Sequence, residues 1–288
     1  MAVYKRSYKG YSGDITSEWS RFLVLPRYAW GGLFQHRFLT IFFVLCFFYP
    51  LGCAIAIYLN SNIAFLSQYI RVPEGGLLEI SGKFFFTYTG VQCTLAFLLT
   101  AFIGPGLVSS DLANHALPLY FCRPLSRTEY VVGKMSVIAI LLSLITWVPG
   151  LLLFAMQASV GTSGWMNDHL WIVWALVAGC GIWILVISVL ALALSAWVRW
   201  KIVAGAMMLV VFFLGSALAA ACRAILRTTS GYWFDIASNI GRVWLHLFRV
   251  KDSTQDFTVE EATLSLLLIS AFCVYLLARK VRAYEVVR

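Results

Sequence analysis

Six apolar stretches constrain the fold of this chain more than any other feature of its sequence. They cover approximately residues 38–59, 84–108, 130–158, a fourth stretch that ends near Val198, 202–222 and 262–278. The apolar core of each stretch contains no Asp, Glu, Lys, Arg or His. A helix needs about 20 apolar residues to cross a bilayer and satisfies its backbone hydrogen bonds within itself. The sequence therefore predicts an all-α polytopic membrane protein with six transmembrane helices.

The composition excludes an ordinary soluble domain. Of the 288 residues, 61% are hydrophobic and 12% are charged, whereas about a quarter of the residues in a soluble domain are charged. The net charge of +9 comes from basic residues between the apolar stretches, so we expect no nucleic-acid partner. The cysteines and histidines show no CxxC, HExxH or other metal-ligand spacing. We therefore expect neither a metal site nor a cofactor in this chain.

The basic residues also predict the topology. Most of the 22 lysines and arginines lie in the N-terminal segment 1–37, in the connector after the second stretch, in the turn 199–201 and in the tail 279–288. Short loops rich in Lys and Arg remain on the cytoplasmic side. We therefore predict a transmembrane domain over 38–278 in the plasma (bacterial inner) membrane. Both termini and the connector would be cytoplasmic, and the segment 223–261 would lie outside.

The N-terminal segment has an amphipathic pattern of its own. Its apolar residues recur at roughly helical spacing beside arginines; they are Trp19, Phe22, Leu23, Trp30, Leu33 and Phe34. This pattern is typical of a helix that lies in the membrane interface, with its indole rings at headgroup depth. We expect Pro26 to bend or break this interfacial helix.

Proline and glycine indicate where the predicted helices depart from regularity. Pro50 lies inside the first stretch, and Pro149 predicts a break in the third. The second stretch ends in the run Gly-Pro-Gly at 104–106, which we expect to end the regular helix in a kink next to the connector. In the fifth stretch, Gly215 and Ala219 have the spacing of a close-packing pair.

The segment 223–261 contains the clearest amphipathic pattern in the chain. Its apolar positions fall at steps of three and four; they are Trp233, Ile236, Ile240, Val243, Trp244, Leu247 and Phe248. The pattern predicts a helix of about four or five turns that is too polar to span the bilayer. It would lie on the outer interface or pack over the mouth of the bundle. It is either an anchor or an outer gate, whose candidate residues are Trp233, Ile240, Trp244 and Phe248.

A polar connector, placed at 109–130 and overlapping the polar run Asp111 to Lys134, separates the second and third stretches. Ser126 followed three residues later by Glu129 predicts a capping box at the start of the third helix. The run ALPLYFCRPLSRTEYVVGK, which ends at Lys134, resembles the cytoplasmic connector of permease subunits in type 2 exporters of the ATP-binding-cassette family. In that family the connector forms a coupling helix, and an elbow helix precedes the first span.

The resemblance implies a permease that moves a substrate across the membrane with ATP hydrolysed by a separate nucleotide-binding subunit. ATP and Mg²⁺ would be bound by that partner, since this chain lacks GxxxxGK[ST]. Two copies, or this chain and a homologous permease, would pair, and membrane lipid would surround them. The residues expected to contact the ATPase subunit are Asp111, Asn114, His115, Leu117, Pro118, Leu119, Tyr120, Arg123, Pro124, Ser126 and Arg127.

Two other functions remain open at this point. The chain could be a membrane scaffold that transports nothing, or a membrane enzyme that acts on lipid or peptide. Neither GxSxG nor HExxH occurs, and no paired carboxylates lie within the apolar stretches, which argues against catalysis. The aromatic-rich stretches suit an amphipathic or lipid-like substrate, but lipid-facing aromatics explain them equally simply.

Overall fold

The fold is helical throughout the described part of the chain. The computed structural model describes residues 24–62, 79–114, 116–117, 120, 126–161, 164–198, 200–226, 230–251 and 257–281. The α-helices are α1 (Val24–Leu33), α2 (Arg37–Leu45), α3 (Phe48–Ser61), α4 (Gly82–Ala113), α5 (Arg127–Ile145), α6 (Trp147–Val160), α7 (Trp165–His169), α8 (Trp171–Trp197), α9 (Lys201–Ala221), α10 (Ile236–Leu247) and α11 (Val259–Lys280). No strand occurs within these ranges, so the all-α prediction is confirmed.

Within the described ranges, six helical segments are long and apolar enough to cross a bilayer. We call them the first to sixth spans: Arg37–Ser61, Gly82–Ala113, Arg127–Val160, Trp165–Trp197, Lys201–Ile225 and Val259–Lys280. This confirms the prediction of a multi-pass membrane protein. The end of the bundle that carries the connector between the second and third spans is called the connector end below, and the opposite end is called the far end.

The second and fourth spans form the centre of the bundle. Their most apolar windows are 67% and 72% buried, whereas the window of the first span is 17% buried. The two helices approach closely, since a Cβ added to Gly104 would lie 2.8 Å from the Cβ of Ala191. Small residues at such contacts let helices pack in lipid, where the hydrophobic effect does not drive helices together. The other spans surround this pair.

The first and third spans are each interrupted at a proline. The break predicted at Pro149 is confirmed: α5 ends at Ile145 and α6 begins at Trp147. The first span has the same design, since α2 ends at Leu45, α3 begins at Phe48 and Pro50 lies in the first turn of α3. A proline has no N–H to donate to the carbonyl four residues earlier. Cys46 and Ile145 are therefore the two carbonyls left without their usual partners.

Gln92 of the second span satisfies both of these carbonyls. Its Nε2 donates to the O of Cys46 and to the O of Ile145, each at 2.8 Å. The side chain is fully buried, so the two bonds replace helix hydrogen bonds in a region with no water. Beside it, the Tyr88 hydroxyl donates to the Thr146 O at 3.0 Å. One side chain thus fixes two helix breaks against the central span.

The second span continues past the Gly-Pro-Gly run, since α4 is one helix through Gly104, Pro105 and Gly106 to Ala113. The departure from a regular helix that the sequence predicted there is seen in the hydrogen bonds around Pro105. The Ser195 hydroxyl donates to the Pro105 O at 2.6 Å and accepts from the Ser109 N at 2.9 Å. A hydroxyl from a neighbouring helix therefore bridges the two groups that a regular helix would join directly.

The described N-terminal helix lies at the connector end. α1 packs against α5, the connector-side half of the third span, and its Trp30 and Leu33 are partly buried on the core. Pro26 is the third residue of the described helix. The predicted interfacial residues Trp19, Phe22 and Leu23 lie outside the described residues. So does the chain before Val24, which a bend at Pro26 would set at an angle to α1.

After the fifth span the chain turns back into the bundle. A π-helical turn (Cys222–Leu226) and a 3₁₀ turn (Ser230–Phe234) precede α10. We call residues 230–248 the re-entrant segment. A Cβ added to Gly215 would lie 2.4 Å from the Phe234 O, and a Cβ added to Gly231 would lie 2.9 Å from the Ala219 Cα. The small pair predicted at 215 and 219 therefore packs closely, but against this returning segment.

Candidate functional site

An ion pair joins the two ends of the connector. The Lys134 Nζ lies 2.7 Å from the Asp111 Oδ2, and the Tyr130 hydroxyl donates to the same oxygen at 2.7 Å. The sequence placed Asp111 in the connector and Lys134 near the start of the third apolar stretch. In the structure Asp111 belongs to the last turn of α4 and Lys134 to the second turn of α5, and their side chains are 14% and 9% exposed. Pairing lets both charges lie inside helix ends, where a lone charge would be costly.

The connector folds back onto this pair. The Ala116 N donates to the Asp111 O at 2.8 Å, and the Tyr120 N donates to the Ala116 O at 3.1 Å. The Tyr120 ring packs on the Tyr130 ring, with 5.6 Å between centroids. Burial, with the Asp111 carboxylate nearby, raises the pKa of the Tyr120 phenol, so this group remains neutral at physiological pH. The first half of the connector is held against the third span.

The third span begins as its capping box predicts. The Glu129 N donates to the Ser126 Oγ at 3.2 Å, and the Ser126 N donates to the Glu129 Oε2 at 2.6 Å. Two backbone donors at the exposed helix start are thereby satisfied. This prediction is confirmed, and it fixes where the connector ends.

The predicted ATPase-contact residues fall into three groups. Asn114, Ser126 and Arg127 are exposed at the connector end. Asp111, Leu117 and Tyr120 are directed into the bundle, with Leu117 only 4% exposed. The remaining five lie outside the described residues: His115, Pro118, Leu119, Arg123 and Pro124. Contact between any of these residues and an ATPase subunit stays a prediction.

The hydroxyl of Ser195 links the connector to the central helices. It accepts from the Val108 N at 3.1 Å in addition to its bonds with Pro105 and Ser109, all within two turns of Asp111. The fifth span supports the same region, because a Cβ added to Gly205 would lie 2.6 Å from the Ala101 O. Ala101 carries the carbonyl that Pro105 leaves without a donor. A displacement of the connector end of α4 would therefore act on the fourth and fifth spans.

The re-entrant segment is fastened by buried polar groups. Asp235 is 2% exposed; its Oδ1 accepts from the Ser216 hydroxyl of the fifth span at 2.7 Å and from the backbone N of Ala237 at 3.1 Å. Asn239 donates to the Ser265 hydroxyl of the sixth span at 3.0 Å. That hydroxyl donates to the Trp233 O at 2.7 Å. These bonds cap α10 and tie its start to two spans.

The start of α10 lies below the far end of the bundle. Ser216 and Ser265 are each about six residues from the far ends of their helices, roughly 9 Å at the rise of an α-helix. At its other end, the Phe248 O meets Gly82, the first residue of the second span. α10 therefore rises from inside the bundle to its far end. The helix packs against the fourth, fifth and sixth spans. This is deeper than either predicted placement, flat on the outer interface or over the mouth of the bundle.

The four candidate gate residues have different surroundings. Ile240 and Trp244 are buried, and the Trp244 indole donates to the Gly179 O of the fourth span at 2.9 Å. Phe248 follows the end of α10 and is 1% exposed. Trp233 lies in the preceding 3₁₀ turn, not on α10, and is 39% exposed. The apolar face continues around a 3₁₀ turn whose geometry the helical spacing did not reveal.

An apolar cavity of about 320 Å³ lies between α10 and the spans. Its walls come from the second span (Thr94, Phe97), the fourth (Trp183), the fifth (Phe213) and α10 (Ile240). No charged side chain lines it. This volume is at the lower end of the range for small-molecule sites.

Gln92, Ser195, Asp235 and Ser265 were not predicted as important residues. Gln92, Ser195 and Ser265 are polar residues within the apolar stretches, and Asp235 lies in the amphipathic segment. A polar residue in such a place is the signal that could have found them, because polar groups in lipid need partners. The search for ionisable residues within the stretches passed over uncharged ones. The described residues contain no cluster of three His, Cys, Asp or Glu side chains that could hold a metal ion.

The fold defines the class of this chain: a multi-pass membrane protein with six membrane-spanning helices and a helical segment that re-enters the bundle. No protein-family model matches the sequence, and no curated protein is detectably similar to it.

Proposed function

We propose that this chain is the membrane subunit of an ATP-driven exporter, and that a separate ATPase subunit docks on its connector. The proposal begins from the resemblance of the run that ends at Lys134 to the coupling connectors of type 2 permeases. Two copies, or this chain and a homologue, would form the pathway. By the bias of basic residues, the connector end is cytoplasmic in the plasma membrane.

The observation that carries the proposal is the bracing of the connector. Asp111 and Lys134 join its two ends, and Tyr120 packs on Tyr130 between them. A docking element must transmit force to the spans instead of yielding, and a connector closed by a buried ion pair does so. Asn114, Ser126 and Arg127 are left exposed beside this brace, where a partner could reach them.

The path from the connector into the membrane supports the same function. Ser195 holds the second span at Pro105, about two turns from Asp111, and Gly205 brings the fifth span to the same place. Motion of the connector would therefore reach the central pair of helices first. The breaks in the first and third spans supply further points where helices can reorient.

The test reverses charge on the connector. The double variant Arg123→Glu and Arg127→Glu replaces two guanidinium groups that suit acidic or carbonyl partners on a docking surface. We expect an ATPase subunit to copurify with the tagged wild-type chain, and at least tenfold less of it with the variant, equivalent to about 1.4 kcal/mol or more. The copurified protein is identified by its nucleotide-binding motif and by ATP hydrolysis.

The matched control is Arg279→Glu, which changes an exposed arginine of the sixth span that also lies at the connector end. It should leave copurification unchanged. If the double variant inserts normally and retains the ATPase, docking on this connector is wrong. If the wild-type chain copurifies with no ATPase in gentle detergent or in native nanodiscs, the exporter proposal fails.

A further inference from the structure

Two polar side chains on the wall of the cavity beneath α10 already donate their hydrogens to backbone carbonyls. Thr94 donates its hydroxyl hydrogen to the Gly90 O at 2.8 Å, and the Trp244 indole donates to the Gly179 O. Phe97 and Phe212 form the inner wall, with ring centroids 4.3 Å apart. A polar or charged molecule would lose its hydration without replacement here. The mainly apolar walls therefore favour a hydrocarbon ligand over a polar one.

The mouth of the cavity opens at membrane depth. The exposed lining residues are Thr94 and Phe213, and the Phe213 side chain is 61% exposed. Thr94 lies roughly 18 Å along α4 from Gly82, and Phe213 roughly 12 Å along α9 from Ala221, at 1.5 Å per residue. Both positions are well inside segments that cross a bilayer of about 30 Å. The phase in front of the mouth is therefore lipid hydrocarbon.

The cavity is built by specific residues and is not a general looseness of packing. A Cβ added to Gly90 meets nothing within 4 Å, so this glycine leaves open space on the cavity side of the second span. Opposite it, Ala237 is small, and the start of α10 is held in place through Asp235. On another side of the cavity, the indole of Trp244 packs on the fourth span and donates to the Gly179 O. Fixed polar bonds thus keep an apolar space open.

We propose that this cavity binds one acyl chain of a bilayer phospholipid, which enters sideways between the second and fifth spans. The volume suits a length of hydrocarbon chain and not a whole phospholipid, so the headgroup remains outside the cavity. Acyl chains of phospholipids are the most abundant groups in the hydrocarbon layer that faces the mouth of the cavity. This inference does not rest on the proposed transport function, because the binding requires neither ATP nor an ATPase subunit.

The experiment uses a phosphatidylcholine with a photoreactive diazirine on one acyl chain, added to the full-length chain in nanodiscs. After irradiation, mass spectrometry locates the adducts. We expect adducts concentrated on peptides that contain Thr94, Phe213 and Ala237, above the level on Leu268, a lipid-facing residue of the sixth span. In the variant Gly90→Leu, whose Cβ meets nothing within 4 Å and whose longer side chain takes up cavity volume, cavity adducts should fall roughly tenfold, or about 1.4 kcal/mol.

Gly181→Leu is the matched control, because Gly181 is also a helical glycine with open space around it and does not line the cavity. It should label like the wild type. Thr94→Phe narrows the mouth from an exposed position, and it replaces Gly90→Leu if that variant does not fold. Equal labelling of the cavity and Leu268, with no loss in either narrowed variant, would overturn the proposal. So would an unlabelled cavity in the wild type, which is the outcome if a second copy of the chain covers the mouth.

Discussion

The charges of the connector are the clearest case in which single residues control the architecture. Lys134 and Asp111 lie at helix ends, mostly out of solvent, and the Tyr130 hydroxyl donates to the carboxylate oxygen that contacts Lys134. A buried pair is only weakly stabilising as a whole, because desolvation opposes the attraction. Loss of one partner is different, because it leaves a buried charge without compensation. This asymmetry gives the pair its measurable effect.

We therefore expect Lys134→Met to destabilise the protein by about 3 kcal/mol, and the double variant Asp111→Asn with Lys134→Met to cost distinctly less. Thermal unfolding in detergent, followed by size exclusion after heating, gives the order of stabilities. Lys201→Met removes an exposed lysine at the same end and should change little. A double variant that is less stable than the single one would contradict the ion-pair account.

Among the elements, the interrupted spans show how one helix can satisfy two others. Pro50 and Pro149 occupy the same place, the third residue of the second half of their spans. The carbonyls that they free both meet the Gln92 amide, so the breaks lie side by side at one level of the bundle. The second halves, α3 and α6, also pack on each other. One side chain thus holds both helix breaks against the central span.

Replacing Gln92 tests this arrangement. Gln92→Leu keeps the bulk but leaves the Cys46 and Ile145 carbonyls without donors, and we expect a loss of roughly 2–4 kcal/mol. In a background of Pro50→Ala and Pro149→Ala, backbone N–H groups can reach those carbonyls again. The cost of Gln92→Leu should then shrink by at least half, as a double-mutant cycle would show. An undiminished cost would mean that Gln92 acts by packing alone.

The re-entrant segment shows how an element with a clear local pattern takes its depth from its neighbours. Its polar face is directed into the bundle at Asp235 and Asn239, where Ser216 and Ser265 provide partners. An amphipathic helix whose polar groups face water would lie in the interface between membrane and water. Here the polar groups are satisfied within protein, and irregular backbone at membrane depth is tolerated for that reason.

At the scale of the whole molecule, the orientation in the membrane remains a prediction from charge. Among the described residues, the exposed arginines and lysines are six at the connector end and four at the far end. The six are Arg27, Arg37, Arg127, Lys201, Arg279 and Lys280, and the four are Lys83, Arg223, Arg249 and Lys251. Such positive residues resist translocation. The far end carries the short helix α7 and the re-entrant segment, which would then face outward.

Labelling of single cysteines tests the orientation in a background without the seven native cysteines. With an impermeant maleimide on intact cells, Asp168→Cys at the far end should react and Ser126→Cys should react only after permeabilisation. Both side chains are exposed, so accessibility within the protein is matched. Asp168 is preferable to Gly164, whose φ of 103° suits glycine. The reverse labelling pattern would invert the topology.

Local sequence alone determined the spans and where helices begin. Because lipid supplies no hydrogen bonds, each span must satisfy its own backbone, and an apolar run of sufficient length is a complete signal. The capping box predicted at Ser126 is confirmed for the same reason, since it is formed within four residues. The sixth span begins with a capping box of the same kind, between Thr258 and Glu261. The break at Pro149 likewise depends on one missing N–H.

Only the tertiary structure decided what the polar residues in the membrane do. The helix continues through Pro105 because Ser195, 90 positions later, bridges its ladder. Gln92 reaches carbonyls 46 and 53 positions away. α10 lies within the bundle because Ser216 donates to Asp235 and Ser265 accepts from Asn239. Such partners leave no local pattern in the sequence. A buried polar group in lipid requires a hydrogen-bond partner, but its own sequence does not indicate which helix supplies that partner.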